Sequence, residues 1–158
     1  MRIAIGSDHA GFAAKQAVAA KVAAMGHEII DFGVESSEQR VDYPDIALKV
    51  ARFVAGGNAD RGILVCGTGI GMSITANKVR GIRAALCHDE FTARMAREHN
   101  DANILAMGER TTAIPAMLRI VDTFMHTDFG GERHAARVKK MMDAEEDSGR
   151  CCTWADCK

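Results

Sequence analysis

The sequence predicts an α/β three-layer sandwich built on a mainly parallel five-stranded sheet. Three observations lead there: five short runs rich in β-branched and apolar residues, segments between them with apolar residues at helical spacing, and glycine or polar clusters where runs end. The first run, 2–6, leads through Ser7, Asp8 and His9 into a helical stripe of Phe12, Val18, Val22 and Met25. A second run at 27–32 is followed by the stripe Ile46, Val50, Phe53 and Val54, and then by the loop Gly56-Gly57-Asn58. The third run, 62–66, ends on Cys66 and passes directly into Gly67, Thr68, Gly69, Ile70 and Gly71. The fourth, 83–87, precedes a helix that begins near Asp89 and reaches His99. The fifth, 103–107, delivers Gly108, Glu109 and Arg110, after which Ile114, Met117, Leu118, Val121, Phe124 and Met125 form the last apolar stripe. Helices alternating with strands in this way cover a parallel sheet on both faces through right-handed crossovers, a Rossmann-like arrangement. No linker or repeat divides the chain, so residues 1–146 are expected to form one domain and 147–158 a C-terminal tail of unassigned role.

Composition agrees with a compact enzyme. Of the 158 residues 47% are hydrophobic and 26% charged, enough to bury most of the unfolded surface in one core. A formal net charge of -1 provides no global attraction to nucleic acid or to an acidic membrane, so anion binding must come from a local basic cluster. The apolar run 3–5 is too short for a signal peptide, and the uncharged stretch 62–77 is too short and glycine-rich to span a bilayer. A cytoplasmic protein is expected. Five cysteines are an odd number for a disulfide framework, which favours reduced thiols. Cys151, Cys152 and Cys157 share the tail with Trp154, and without a nearby histidine they lack the usual spacing of a closed zinc site. No metal is expected there.

Ligands of open α/β sheets collect outside the carboxyl ends of the strands, and here those ends are polar. Asp8 and His9, Cys66 with its glycines, and Arg110 all fall on that rim. Each has a plainer reading: Asp8 as a helix cap, His9 as a structural histidine, Cys66 as a small buried hydrophobe. The glycine turn is neither a dinucleotide fingerprint nor a P-loop, since it does not follow the first strand and lacks the Lys-Ser/Thr. What distinguishes it is the thiol at its entrance. A helix N-terminus favours the thiolate, and backbone N–H groups in such a turn can hold a developing oxyanion. Further along, Arg133 and Arg137 lie on one helical face with Lys140, a pattern that suits either a phosphate grip or a solvated basic face. His99, next to Asn100 and Asp101, is placed for proton shuttling or for capping.

Taken together, Ser7-Asp8-His9-Ala10-Gly11-Phe12, Val41-Asp42-Tyr43-Pro44, Cys66-Gly67-Thr68-Gly69-Ile70-Gly71, His99-Asn100-Asp101 and Arg133-His134-x-x-Arg137 closely resemble the type B ribose-5-phosphate isomerases, in order and up to about Ala144. The resemblance implies aldose–ketose isomerisation of ribose 5-phosphate and ribulose 5-phosphate through a cis-enediolate, with no cofactor. It implies Cys66 as the base, Thr68 and the N–H groups of Gly67, Gly69, Ile70 and Gly71 as the enediolate cradle, and His99 as the ring-opening acid/base. By the same likeness Asp8 and Asn100 orient hydroxyls, His9, Arg133 and Arg137 hold phosphate, and Arg110 contacts ligand. A homodimer or dimer of dimers with sites at the subunit interface is implied too. Members commonly read Glu-Gly-Gly-Arg-His where this chain reads Gly130-Gly131-Glu132-Arg133-His134, which sets a carboxylate beside a phosphate ligand either as a cap or as a weakening of anion binding. Erythrose 4-phosphate and allose or galactose 6-phosphates are competing substrates of the same mechanism. A non-catalytic phosphosugar-binding module is the rival from another class, and it would have no need of Cys66 and His99 together. Thiol redox chemistry at Cys66 lacks a resolving Cys-x-x-Cys partner.

Overall fold

A computed structural model describes residues 1–145 of the chain. Five strands, β1 (Arg2–Ser7), β2 (Glu28–Asp31), β3 (Arg61–Cys66), β4 (Ala84–Leu86) and β5 (Ile104–Gly108), make one sheet in the order β2-β1-β3-β5-β4. Every neighbouring pair is parallel. The helices are α1 (Phe12–Ala24), α2 (Tyr43–Ala55), α3 (Ile70–Ala76), α4 (Glu90–Asn100), α5 (Ile114–His126) and α6 (Glu132–Asp143), with a single 3₁₀ turn at His9–Gly11 before α1. The expected sandwich is therefore present, and its sheet is wholly rather than mainly parallel. The expected tail, 147–158, with Cys151, Cys152 and Cys157, lies outside the described residues.

Strand alternation divides the core into two layers. Ile3, Ile5, Ile63, Val65, Leu105 and Met107 face one side, where Val18 and Val22 of α1, Ala93 and Ala96 of α4, and Met117, Ile120, Val121 and Phe124 of α5 close over them. Ala4, Leu64, Cys66, Ile104 and Ala106 face the other, under Ile46, Ala47, Val50 and Val54 of α2 and Met72 and Ala76 of α3. A sheet covered on both faces needs continuous apolar strands, which is why the runs read as unbroken rather than alternating. Full burial of each aliphatic side chain contributes roughly 1.5–3 kcal/mol.

Local signals set the helix ends that matter for function. Pro44 sits in the first turn of α2 with Asp45 close behind, both favoured at a helix N-terminus. Asp89 and Thr92 form a capping box at the start of α4. That helix stops at Asp101, which takes the left-handed conformation (φ 46°) and leaves His99 and Asn100 in the final turn. Helix α1 departs from simple periodicity, because Lys15 is 1% exposed. Its Nζ donates to Asp31 Oδ2 (2.7 Å) and to the Val34 carbonyl (2.8 Å), tying α1 to the loop after β2.

From β1 the chain moves outward to β2 and then returns to the opposite side of β1 with β3. The strand order reverses at that point, which opens a crevice between the carboxyl ends of β1 and β3.

Candidate active site

The crevice is a cleft of about 530 Å³ lined by Asp8, His9, Ala10, Tyr43, Cys66, Gly67, Thr68, Ile70, Gly71, Ile74 and Arg110. Eight of the residues singled out in the sequence meet there: Asp8, His9, Cys66, Gly67, Thr68, Ile70, Gly71 and Arg110. They arrive from three adjacent strands. Ser7 pairs in register with Val65, and Cys66 with Gly108, so the polar residues beyond each strand emerge at one level.

Cys66 is the last residue of β3 and is 5% exposed. The N–H of Gly69 donates to its Sγ at 3.1 Å, which points the positive end of a backbone dipole at the atom where negative charge would sit. Gly69 has φ +78°, and a Cβ there would lie 2.5 Å from Leu86 Cδ1 and 2.8 Å from the Met107 carbonyl carbon, so both conformation and space demand glycine. The Thr68 hydroxyl accepts weakly from the Ile70 N–H at 3.4 Å. The N–H groups of Gly67, Thr68 and Gly71 make no hydrogen bond among the described residues and are free to bind an oxyanion.

Strand β5 locks this turn in place. The N–H of Glu109 donates to the Cys66 carbonyl and that of Arg110 to the Gly67 carbonyl, both at 2.9 Å. These bonds bring the Arg110 side chain against Gly67, where a Cβ on the glycine would be 3.4 Å from the Arg110 Nε. Glu109 itself turns away: its Oε2 accepts from the Ala14 N–H at 3.0 Å and serves α1.

Asp8 is a cap that stands on the cleft wall. Its Oδ1 caps the 3₁₀ turn through the N–H groups of Ala10 (3.0 Å) and Gly11 (3.2 Å), and the residue also lines the cleft. His9 lines the cleft too, and its Nδ1 is buried without a hydrogen-bond partner among the described residues. Tyr43, at the start of α2, lies over Gly71: a Cβ on that glycine would come within 2.4 Å of Tyr43 Cε2. Tyr43 stood in a family motif without a role, and its place after Asp42 at a helix start is the signal that puts it on the rim.

His99, Asn100, Arg133 and Arg137 do not line this cleft. They gather where α4 meets α6. Asp101, not His99, is the C-terminal cap of α4, and the His99 ring instead stacks on His134, with centroids 4.2 Å apart and planes 10° apart. The Arg133 Nε approaches His134 Nε2 at 3.4 Å. His134 is 7% exposed, and its pKa is lowered from the ordinary histidine value by burial first, then by His99, Arg133 and Arg137, with Glu98 opposing. Glu132 makes no capping hydrogen bond and sits at φ 41°, a left-handed backbone that favours glycine. Asn100 borders a second cleft of about 440 Å³ with Arg83, Leu86, Phe91, Met95 and Met141. The residues singled out in the sequence thus fall into two separate groups on one chain. Among the described residues no cluster of three histidine, cysteine or acidic side chains could hold a metal, and no helix is long and apolar enough to cross a membrane.

Residues 3–141 match the model of the Ribose/Galactose Isomerase family. The chain is 49% identical over 146 residues to a putative sugar phosphate isomerase of Bacillus subtilis (strain 168), covering 92% of this chain and 98% of the relative. It is 46% identical over 145 residues to ribose-5-phosphate isomerase B of Escherichia coli (strain K12), covering 92% and 97%. Among solved structures, the ribose-5-phosphate isomerase B of Clostridium thermocellum superposes with a TM-score of 0.91 at 53% identity, over 94% of this chain and 99% of that one. The enzyme of Mycoplasma genitalium with bound ribulose-5-phosphate superposes at 0.89 with 37% identity, over 92% and 97%.

Proposed function

Since this chain belongs to the ribose/galactose isomerase family and is a sugar-phosphate isomerase, we propose that it interconverts ribose 5-phosphate and ribulose 5-phosphate with Cys66 as the carbon base. The observation that carries the reading is the Cys66 thiol in a glycine turn whose unbonded N–H groups open on the same cleft. A C–H bond beside a carbonyl becomes acidic enough to break only when the oxygen that receives the charge is stabilised.

In the forward direction the Cys66 thiolate takes the proton from C2 of the open aldose. The electrons of that bond form a C1–C2 double bond, and the negative charge settles on O1 as a cis-enediolate. The Gly67, Thr68 and Gly71 N–H groups and the Thr68 hydroxyl hold that oxygen. Cys66 then returns a proton to C1 while the O2 hydroxyl proton passes to O1, leaving a ketone at C2 and a free thiolate. His99 serves the earlier step, moving a proton between O1 and the ring oxygen as the furanose opens. Asp8 and Asn100 orient hydroxyls; His9, Arg133 and Arg137 bind phosphate and Arg110 adds a contact. No cofactor takes part.

The working site in this proposal forms between two copies of the chain, as a homodimer or a dimer of dimers. Support comes from the large exposed apolar side chains. Six are exposed among the described residues; Tyr43, Ile70 and Ile74 line the Cys66 cleft, and Phe91 and Met141 line the cleft beside Asn100. Apolar rims around two incomplete sites are what an obligate interface leaves when one subunit is viewed alone.

Cys66→Ala is expected to lower kcat for ribose 5-phosphate by about 10²–10⁴-fold, while the affinity for a non-reacting phosphate ester stays near wild type. Normal turnover by the variant would eliminate Cys66 as the base. Comparing kcat/KM for ribose 5-phosphate, erythrose 4-phosphate, and allose and galactose 6-phosphates, with aldose–ketose exchange followed directly, ranks the substrates; a six-carbon or four-carbon preference would overturn the pentose assignment.

A further inference from the structure

We infer that His134 is a positioning residue for His99, its ring setting the plane in which the His99 imidazole delivers and collects protons. The inference rests on the ring-opening role proposed for His99. Imidazole hydrogen bonds lie in the ring plane, so the tilt of the ring decides which sugar oxygen a proton reaches. The stack at 4.2 Å and 10° restrains that tilt through the face of the ring and leaves its edge open. Among the described residues no hydrogen bond fixes the His99 ring, since Glu98 Oε1 is 3.7 Å from His99 Nε2, beyond hydrogen-bonding distance.

His134 is itself held from behind. The Gly130 N–H donates to the Glu98 carbonyl at 2.9 Å, and the His134 N–H to the Gly131 carbonyl at 2.8 Å, so the loop before α6 is sewn to α4 one residue ahead of His99. A Cβ on Gly130 would come 3.0 Å from the Glu98 oxygen and 3.6 Å from His134 Cδ2, so this seam tolerates little movement. The charged and titratable groups facing the pair are Glu98 on α4 and Arg133 and Arg137 on α6. Burial, His99 and the two guanidiniums all lower the His134 pKa, which disfavours a second cation against the His99 ring.

Two rates separate positioning from a general structural role. Ribose 5-phosphate is cyclic and must be opened, whereas ribulose 5-phosphate has its O5 esterified and stays open-chain, so solvent deuterium exchange at its C1 needs only the Cys66 step. His134→Ala is expected to lower kcat for ribose 5-phosphate by about 10²-fold with C1 exchange near wild type, and His134→Phe, which restores a flat stacking ring, to recover most of the loss. Unchanged turnover of ribose 5-phosphate by His134→Ala would overturn the inference, and so would an equal loss of both rates. If the alanine variant fails to fold, a folded His134→Phe protein that still loses about 10²-fold overturns it. His99→Ala serves as the reference: full turnover by that variant removes the ring-opening role itself, a failure distinct from failure of the stack.

Discussion

Gly69 supplies the N–H that faces the Cys66 sulfur from a backbone conformation closed to other residues, in a space where a single methyl group has no room. Gly69→Ala is therefore expected to cost about 1–3 kcal/mol for its backbone alone, with more from the clash, and to remove activity even in molecules that remain folded. Urea denaturation alongside turnover per folded molecule tests both effects; an alanine variant of full stability would mean that the turn adapts. The second buried thiol behaves differently. At the end of β4, burial pushes Cys87 up to about 11 from an ordinary 9.0, partly offset by its contact with Thr92. The unfolded chain releases this proton at a lower pH than the folded one, so the contribution to stability is complete below pH 9.0 and is lost as the pH rises towards about 11. Denaturation midpoints across that interval should fall, and Cys87→Ala should flatten the fall; an identical slope in the variant would assign the loss to other groups.

At the scale of elements, the strand runs were legible because a sheet buried on both faces turns each strand into an unbroken apolar word. The edges were less so: β2 and β4 are shorter than their apolar runs, since half-exposed edge strands keep fewer paired residues. Lys15 was hidden within an apolar stripe, because only the folded chain brings Asp31 and the Val34 carbonyl to its ammonium group. Lys15→Met is expected to destabilise the protein by about 1–3 kcal/mol, since the buried Val34 carbonyl loses its donor. The loop that leads to Tyr43 should loosen as well, seen as faster amide exchange over 33–42; an unchanged melting temperature would show that the tie is dispensable. The strand-end rule was enough to find Asp8, His9, Cys66 and Arg110, for it depends only on chain direction. The stack of His99 on His134 was not legible, because strand β5 and helix α5 separate them in the chain and only packing brings them together.

For the whole molecule, the separation of the Cys66 cleft from the His99 group has a measurable signature. If each working site takes Cys66 from one chain and His99 from another, Cys66→Ala and His99→Ala proteins are each inactive, yet refolding them together should restore activity. Random pairing makes half of the dimers mixed with one intact site in two, so about a quarter of wild-type activity is expected. No recovery on co-refolding would mean that one chain completes its own site. The zipping of the β3 and β5 ends through Glu109 and Arg110 has a different, historical consequence. In the proposed mechanism the apparatus for carbon acidity is bound into the sheet, whereas the arginines assigned to phosphate ride on α6, a peripheral helix that opens on Glu132 in a left-handed backbone. Selection could therefore lengthen or shorten the sugar by reshaping the start of that helix alone, leaving the proton chemistry inherited intact.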